Sequence, residues 1–154
     1  MVTDKMLEKC KQMYRLCDKA HAGQKYGDLP YMRHLLNVCD VYETLIRDEY
    51  DNYQAEVLMA CIGHDLLEDT DVTKEGLLTK GFPVDVVTAI DLVTKKPEVP
   101  YEEYISKIGE NELAFNVKVC DTYSNLTESL KDGNKRRIMR YATQLQKLYD
   151  AKKF

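Results

Sequence analysis

His64 and Asp65 stand side by side directly after Val57-Leu58-Met59-Ala60-Cys61-Ile62-Gly63, a run that is apolar all round. A helix without a polar face belongs at the centre of a bundle, covered on every side. An ionised carboxylate at the end of such a helix is costly unless a cation meets it. Imidazole beside carboxylate suits a metal cation as that partner. His34 and Asp121 extend the pattern: His34 shares a helical stripe with Val38, Val41 and Leu45, and Asp121 continues the stripe Ala114, Val117. Each has an ordinary alternative, a hydrogen-bonded core histidine or an aspartate paired with Lys118. As a set, two imidazoles and two carboxylates on three helices facing one interior suit a divalent ion of the Mn, Fe, Co or Zn type. An octahedral ion held by four protein ligands keeps open positions for water and a substrate oxygen.

Glu68 and Asp69 follow. If the helix continues past His64, they lie one turn beyond His64 and Asp65, close to the ion without ligating it. A carboxylate there can take a proton from a water that the ion has acidified; the alternative is a charged helix end before the loop Thr70–Thr73. Cations near this centre are few: Lys25 in the loop before His34, Arg33 beside it, Lys118 one turn before Asp121, and Lys95-Lys96 at a helix end. Any of them could hold a phosphate as a point charge, or simply face solvent. Asn125, one turn after Asp121, could bind a sugar hydroxyl or orient a ligand. Tyr26, Tyr31 and Tyr141 could pack on a nucleobase, or serve core and rim.

The elements that must bring these residues together are helices. Glycine and proline are sparse, seven and four, and both fall between periodic segments. The first helix is expected over about Thr3 to Ala22. After the loop His21–Pro30, Pro30 suits the first position of a second helix, whose inward face is Leu35, Val38, Cys39, Tyr42, Leu45 and Ile46. The central helix runs straight into His64-Asp65. Pro83 opens another with Val84, Val87 and Ile90 inward, ending near Lys95-Lys96-Pro97, and a short one follows Pro100. Asn111 can cap a long helix closed by Gly133, and Asn134 can cap the last, with Ile138, Tyr141, Leu145 and Leu148 inward. No run shows sustained strand alternation, no repeat appears and no linker divides the chain. The expectation is an all-α, single-domain helical bundle over 1–154.

Composition agrees. The 154 residues are 44% hydrophobic and 31% charged, which excludes intrinsic disorder, and a chain this long can bury about 70% of its unfolded surface. A net charge of −4 argues against a nucleic-acid-coating protein. No apolar stretch is long enough to span a membrane, and Met1-Val2-Thr3-Asp4-Lys5 lacks the order of a secretion signal. Five cysteines without a C-x-x-C pair read as small buried hydrophobes in a reducing cytoplasm.

These residues resemble the HD superfamily of metal-dependent phosphohydrolases, and within it the RelA/SpoT-type hydrolase domain with its small stand-alone, Mesh1-like relatives. The matching segments are Ala20-His21-Ala22-Gly23-Gln24-Lys25, Pro30-Tyr31-Met32-Arg33-His34, His64-Asp65-Leu66-Leu67-Glu68-Asp69-Thr70, Lys118-Val119-Cys120-Asp121 and Asn125-Leu126. The resemblance implies metal ligation by His34, His64, Asp65 and Asp121, with manganese typical and Zn²⁺, Fe²⁺ or Co²⁺ as alternatives. It implies Glu68 and Asp69 as the catalytic pair and substrate contacts from Lys25, Tyr31, Lys118 and Asn125; His21 matches a loop histidine that is not a ligand. The implied reaction is removal of the 3′-pyrophosphate of (p)ppGpp, with a metal-activated water as nucleophile. The partner is then a small nucleotide, with no nucleic acid or membrane, and a homo-oligomer is compatible. Four departures stand out: Lys25-Tyr26 replaces an Arg-Lys or Arg-Arg pair, Leu35 a common proline and Thr127 a frequent arginine, and Asp121-Thr122-Tyr123-Ser124-Asn125 lacks the basic residue common after the aspartate. They leave an HD nucleotidase, a dNTP or NADPH phosphohydrolase, or an inactive nucleotide-binding module as alternatives.

Overall fold

Residues 3–48 and 53–154 are described in the structure, a computed structural model. Met1 and Val2 of the N-terminal segment read above lie outside them. Helix α1 (Asp4–Ala20) is capped by Thr3, whose hydroxyl accepts the Met6 N–H, and it ends at His21. A short antiparallel hairpin follows, β1 (Lys25–Tyr26) paired with β2 (Leu29–Pro30) in the register Tyr26↔Leu29. Gly27 at φ 60° provides the positive φ needed at the first position of its two-residue turn. Pro30 is therefore a strand residue and not the first helical one. A two-residue strand leaves no alternation to read, and an edge strand tolerates the missing N–H.

Helix α2 (Met32–Val41) passes into a π-helical turn, Tyr42–Ile46, where the Arg47 N–H reaches back five residues to the Tyr42 carbonyl at 2.9 Å. The wider turn rotates the stripe. Tyr42 stays buried, but Leu45 is 57% exposed, against the inward place that α-helical spacing gave it. Helix α3 (Gln54–Gly63) is the central rod, packed on α1, α2 and two later helices, with Val57, Met59, Ala60, Cys61 and Ile62 buried. It does not run straight on: the chain breaks at His64-Asp65 and resumes as α4 (Leu66–Asp69).

Helix α5 (Lys74–Thr79), capped by Thr73, lies in a stretch with no helix assigned from periodicity. Its six residues are too few to show a period. Pro83 precedes α6 (Val84–Val93). Val86, Val87 and Ile90 are buried, but Val84, the first residue of the helix, is 67% exposed. This helix ends before Lys95, with the Thr94 hydroxyl returned to the Ile90 carbonyl. Helix α7 (Tyr101–Gly109) leads to α8 (Glu112–Lys131), capped by Asn111, and α9 (Lys135–Ala151), capped by Asn134. Gly133 lies between them at φ 64°. On α9 only Leu148 is fully buried; Ile138, Tyr141 and Leu145 are half-buried, since this outer helix meets the bundle along a narrow strip. At Gly109 a Cβ would lie 2.1 Å from the Ala151 carbonyl oxygen, so glycine is what lets α7 approach α9.

The result is a compact all-α bundle with α3 and α8 at its middle. Among the described residues no helix is long and apolar enough to cross a membrane. The five cysteines are free, four of them buried.

Candidate metal centre

Three helices deliver the cluster. His34 comes from the first turn of α2, His64 and Asp65 from the break after α3, and Asp121 from the middle of α8, and these helices pack against one another. The break is what aims His64 and Asp65 together. An unbroken α-helix would splay consecutive side chains about 100° apart, whereas here His64 Nε2 is 3.0 Å from Asp65 Oδ2. His64 Nε2 is 3.3 Å from Asp121 Oδ1, and His34 Nε2 is 3.2 Å from Asp121 Oδ1 and 3.7 Å from Asp65 Oδ2. Ligand atoms about 2.1 Å from one ion and at right angles lie about 3.0 Å apart, so separations of this size would suit one shared ion.

The donor chemistry fits a cation. His64 Nδ1–H donates to the Cys61 carbonyl at 2.7 Å, which fixes the ring and turns Nε2, where an ion would take the place of a proton, toward the carboxylates. That nitrogen is buried without a hydrogen-bond partner and faces two carboxylate oxygens. Burial by itself would lower the His64 pKa, but Asp65 and Asp121 outweigh it and hold it well above the usual imidazole range. For Asp65 and Asp121 burial acts upward. The His64 imidazole overcomes it for Asp65, and Lys118 with His64 overcomes it for Asp121, so both carboxyls sit low. His34, His64 and Asp65 thus form a group able to hold a divalent ion.

Neighbouring side chains hold three of the four carboxylate oxygens of Asp65 and Asp121. Tyr31 donates its hydroxyl to Asp65 Oδ2 at 2.6 Å and lies 3.3 Å from Asp69 Oδ2. Lys118 Nζ donates to Asp121 Oδ2 at 2.9 Å, and Asn125 Nδ2 to Asp121 Oδ1 at 3.0 Å. Burial would lower the Lys118 pKa, but Asp121 raises it further, so this lysine is a fixed positive charge. Glu68 and Asp69 adjoin the cluster through Asp65, with carboxylate atoms of the three within 4.8 Å of one another. Glu68 accepts the Lys95 backbone N–H at 3.0 Å. Burial raises the pKa of both Glu68 and Asp69, and the Asp65 charge adds to the rise.

The remaining candidates divide. Lys25 is exposed on β1, and Arg33 is exposed on α2. Lys96 is engaged by Asp91 at 2.8 Å, and the Lys95 ammonium is bonded to the carbonyls of Lys96 and Val99. Tyr141 lies under the guanidinium groups of Arg137 and Arg140, 6.0 and 5.5 Å from its ring centroid. Periodicity did not single out three contributors. Gln24 donates to the Asp69 carbonyl at 2.8 Å and pairs with His21 Nδ1, and His21 stacks on Tyr31 at 4.8 Å. Tyr26 stacks on His34 and reaches Asn125. His21 and Gln24 sit in the segment quoted for the resemblance, and Tyr26 directly follows it, where the chain departs from the family's basic pair.

No family model matches the chain. Over 111 residues, 71% of this chain, the sequence is 30% identical to the guanosine-3′,5′-bis(diphosphate) 3′-pyrophosphohydrolase of Vibrio cholerae serotype O1. The chain spans 15% of that protein's length. A solved structure described as a metazoan ortholog of SpoT that hydrolyses ppGpp and plays a role in starvation responses superposes with a TM-score of 0.70 and 25% identity, covering 93% of this chain and 84% of its own. The chain is thus similar in sequence over 71% of its length to a ppGpp pyrophosphohydrolase, and in fold over 93% of it to a protein described as hydrolysing ppGpp.

Proposed function

We propose that this chain, as one HD phosphohydrolase domain, hydrolyses a phosphoester of a small nucleotide, with the 3′-pyrophosphate of (p)ppGpp as the leading substrate. The observation that carries the reading is the convergence of two imidazole nitrogens and two carboxylates beside a second carboxylate pair. His34, His64, Asp65 and Asp121 would hold one divalent ion, manganese first among the choices. That ion, when bound, acidifies water and offsets charge on phosphate oxygens.

The chain's own groups do the rest. Glu68, anchored by the Lys95 N–H, stands beside Asp65 with a raised pKa, suited to take a proton from the attacking water. Asp69, held from the Tyr31 hydroxyl and through the Gln24 bond to its own carbonyl, aligns that water. Lys118 keeps Asp121 ionised and in place, which makes it a support for the centre before it is a phosphate contact. Lys25, free on the hairpin, would meet the remote phosphates. The free thiols fit a reducing compartment and support placing the reaction in the cytoplasm.

The test is product analysis of Mn²⁺-loaded protein offered ppGpp, NADPH, a nucleoside monophosphate and a dNTP. Pyrophosphate from ppGpp, lost in Asp65→Ala protein, is the expected result. Orthophosphate from a monophosphate or NADPH, or triphosphate from a dNTP, would keep the centre and replace the substrate. Nucleotide binding without any product would leave an inactive binding module.

A further inference from the structure

Tyr26 links two of the candidate ligands from outside the cluster. Its ring lies flat on the His34 imidazole, centroids 4.6 Å apart and planes 17° apart. Its hydroxyl donates to Asn125 Oδ1 at 2.5 Å, across 99 residues of chain. The Asn125 amide nitrogen then donates to Asp121 Oδ1 at 3.0 Å, the same oxygen that lies 3.2 Å from His34 Nε2. The circuit is closed: tyrosine ring on imidazole, imidazole by carboxylate, carboxylate by amide, amide by tyrosine hydroxyl.

The amide is the element that needs fixing. A carboxamide has one accepting end and one donating end, and the two orientations have nearly the same shape. Only one is useful here, because Oδ1 turned toward Asp121 would set two acceptors against each other. A hydroxyl donor at the opposite end selects the other orientation. The hairpin holds Tyr26 in place by its pairing with Leu29, and the Tyr31 N–H bonds to the Gln24 carbonyl at 3.1 Å.

We infer that Tyr26 is a positioning residue of the metal centre: its hydroxyl orients Asn125 so that the amide holds Asp121, and its ring sets the plane of His34. Asn125, engaged at both ends within the chain, then orients a ligand. The inference rests on the reading of His34, His64, Asp65 and Asp121 as ligands.

The test is calorimetric titration of chelator-stripped protein with Mn²⁺, with no substrate present. Tyr26→Phe keeps the ring and removes only the hydroxyl. Loss of such an outer contact is expected to weaken Mn²⁺ binding about 10-fold, while the melting temperature of the metal-free protein is unchanged. Asn125→Ala weakens binding by a similar factor. The double variant binds no more weakly than Asn125→Ala alone, because the hydroxyl acts only through the amide. Native-like affinity in Tyr26→Phe, or losses that multiply in the double variant, would overturn the inference. Absence of saturable Mn²⁺ binding by the native chain would instead overturn the metal reading beneath it.

Discussion

Asp91 and Asp121 are both helix aspartates with lysine partners, and they end in opposite situations. Asp91, on α6, is 23% exposed and gives each oxygen its own ammonium, Lys96 at 2.8 Å and Lys74 at 3.0 Å. Burial pushes its pKa up, but Lys96 and Lys74 outweigh that and hold it below the ordinary carboxylate value. Nothing there is left to satisfy. Asp121 is 8% exposed and has one lysine on one oxygen, while the other oxygen faces two imidazole nitrogens with the Asp65 carboxylate close by. Around Asp121 the buried acids exceed the fixed cations. A charge tie and a cation site can therefore use the same residue types; what separates them is the imbalance left once every fixed partner has been assigned.

Breaking the unbalanced region should cost the most. In Asp121→Asn or His64→Ala protein, Mn²⁺ uptake is expected to vanish and hydrolysis to fall by at least about 10³-fold, the equivalent of several kcal/mol of lost charge stabilisation. Metal content and initial rates check this together. Glu68→Gln is expected to lower kcat by about 10²–10⁴-fold with the Mn²⁺ stoichiometry kept, because the residue handles a proton and does not ligate. Steady-state kinetics beside metal analysis separates the two kinds of loss.

Stability effects are smaller and sharpen the contrast. Mn²⁺ at about 100 times its Kd should stabilise the native chain by about 2.7 kcal/mol. Asp91→Asn protein should show the same increment and Asp121→Asn protein none, as read from urea midpoints with and without the ion. Asp91→Asn on its own should cost about 0.5–1 kcal/mol at pH 7 and leave turnover unchanged. Its folded pKa is depressed, so its stabilisation is full above the unfolded aspartate value of about 3.9 and disappears as pH falls through the folded value. The gap between native and Asp91→Asn midpoints should therefore close below about pH 4.

Much of this was legible in the sequence, and the limits have physical causes. The apolar run before His64 marked the central helix, and the Asn111 and Asn134 caps marked the starts of α8 and α9, because burial on all sides and capping are local signals. The inward stripes of His34 and Asp121 lead to one point in the fold. The break at His64-Asp65 left no such trace, since no residue there forbids a helix and tertiary contacts decide it. The π turn at Tyr42–Ile46 misdirected Leu45 because a 3.6-residue period cannot anticipate a wider turn. Tyr26 was visible as a candidate stacking ring and as a departure from a basic pair, but not as a support of His34 and Asn125. Its partner Asn125 lies 99 positions away, and that pairing exists only when the hairpin folds over α8.

The most direct measurement is the Mn²⁺ stoichiometry of the chelator-stripped native chain beside that of Asp65→Asn, followed by dialysis and elemental analysis. The account predicts one tightly held ion per chain in the native protein and essentially none in the variant. Equal retention by both proteins, or no retention by the native one, would contradict it.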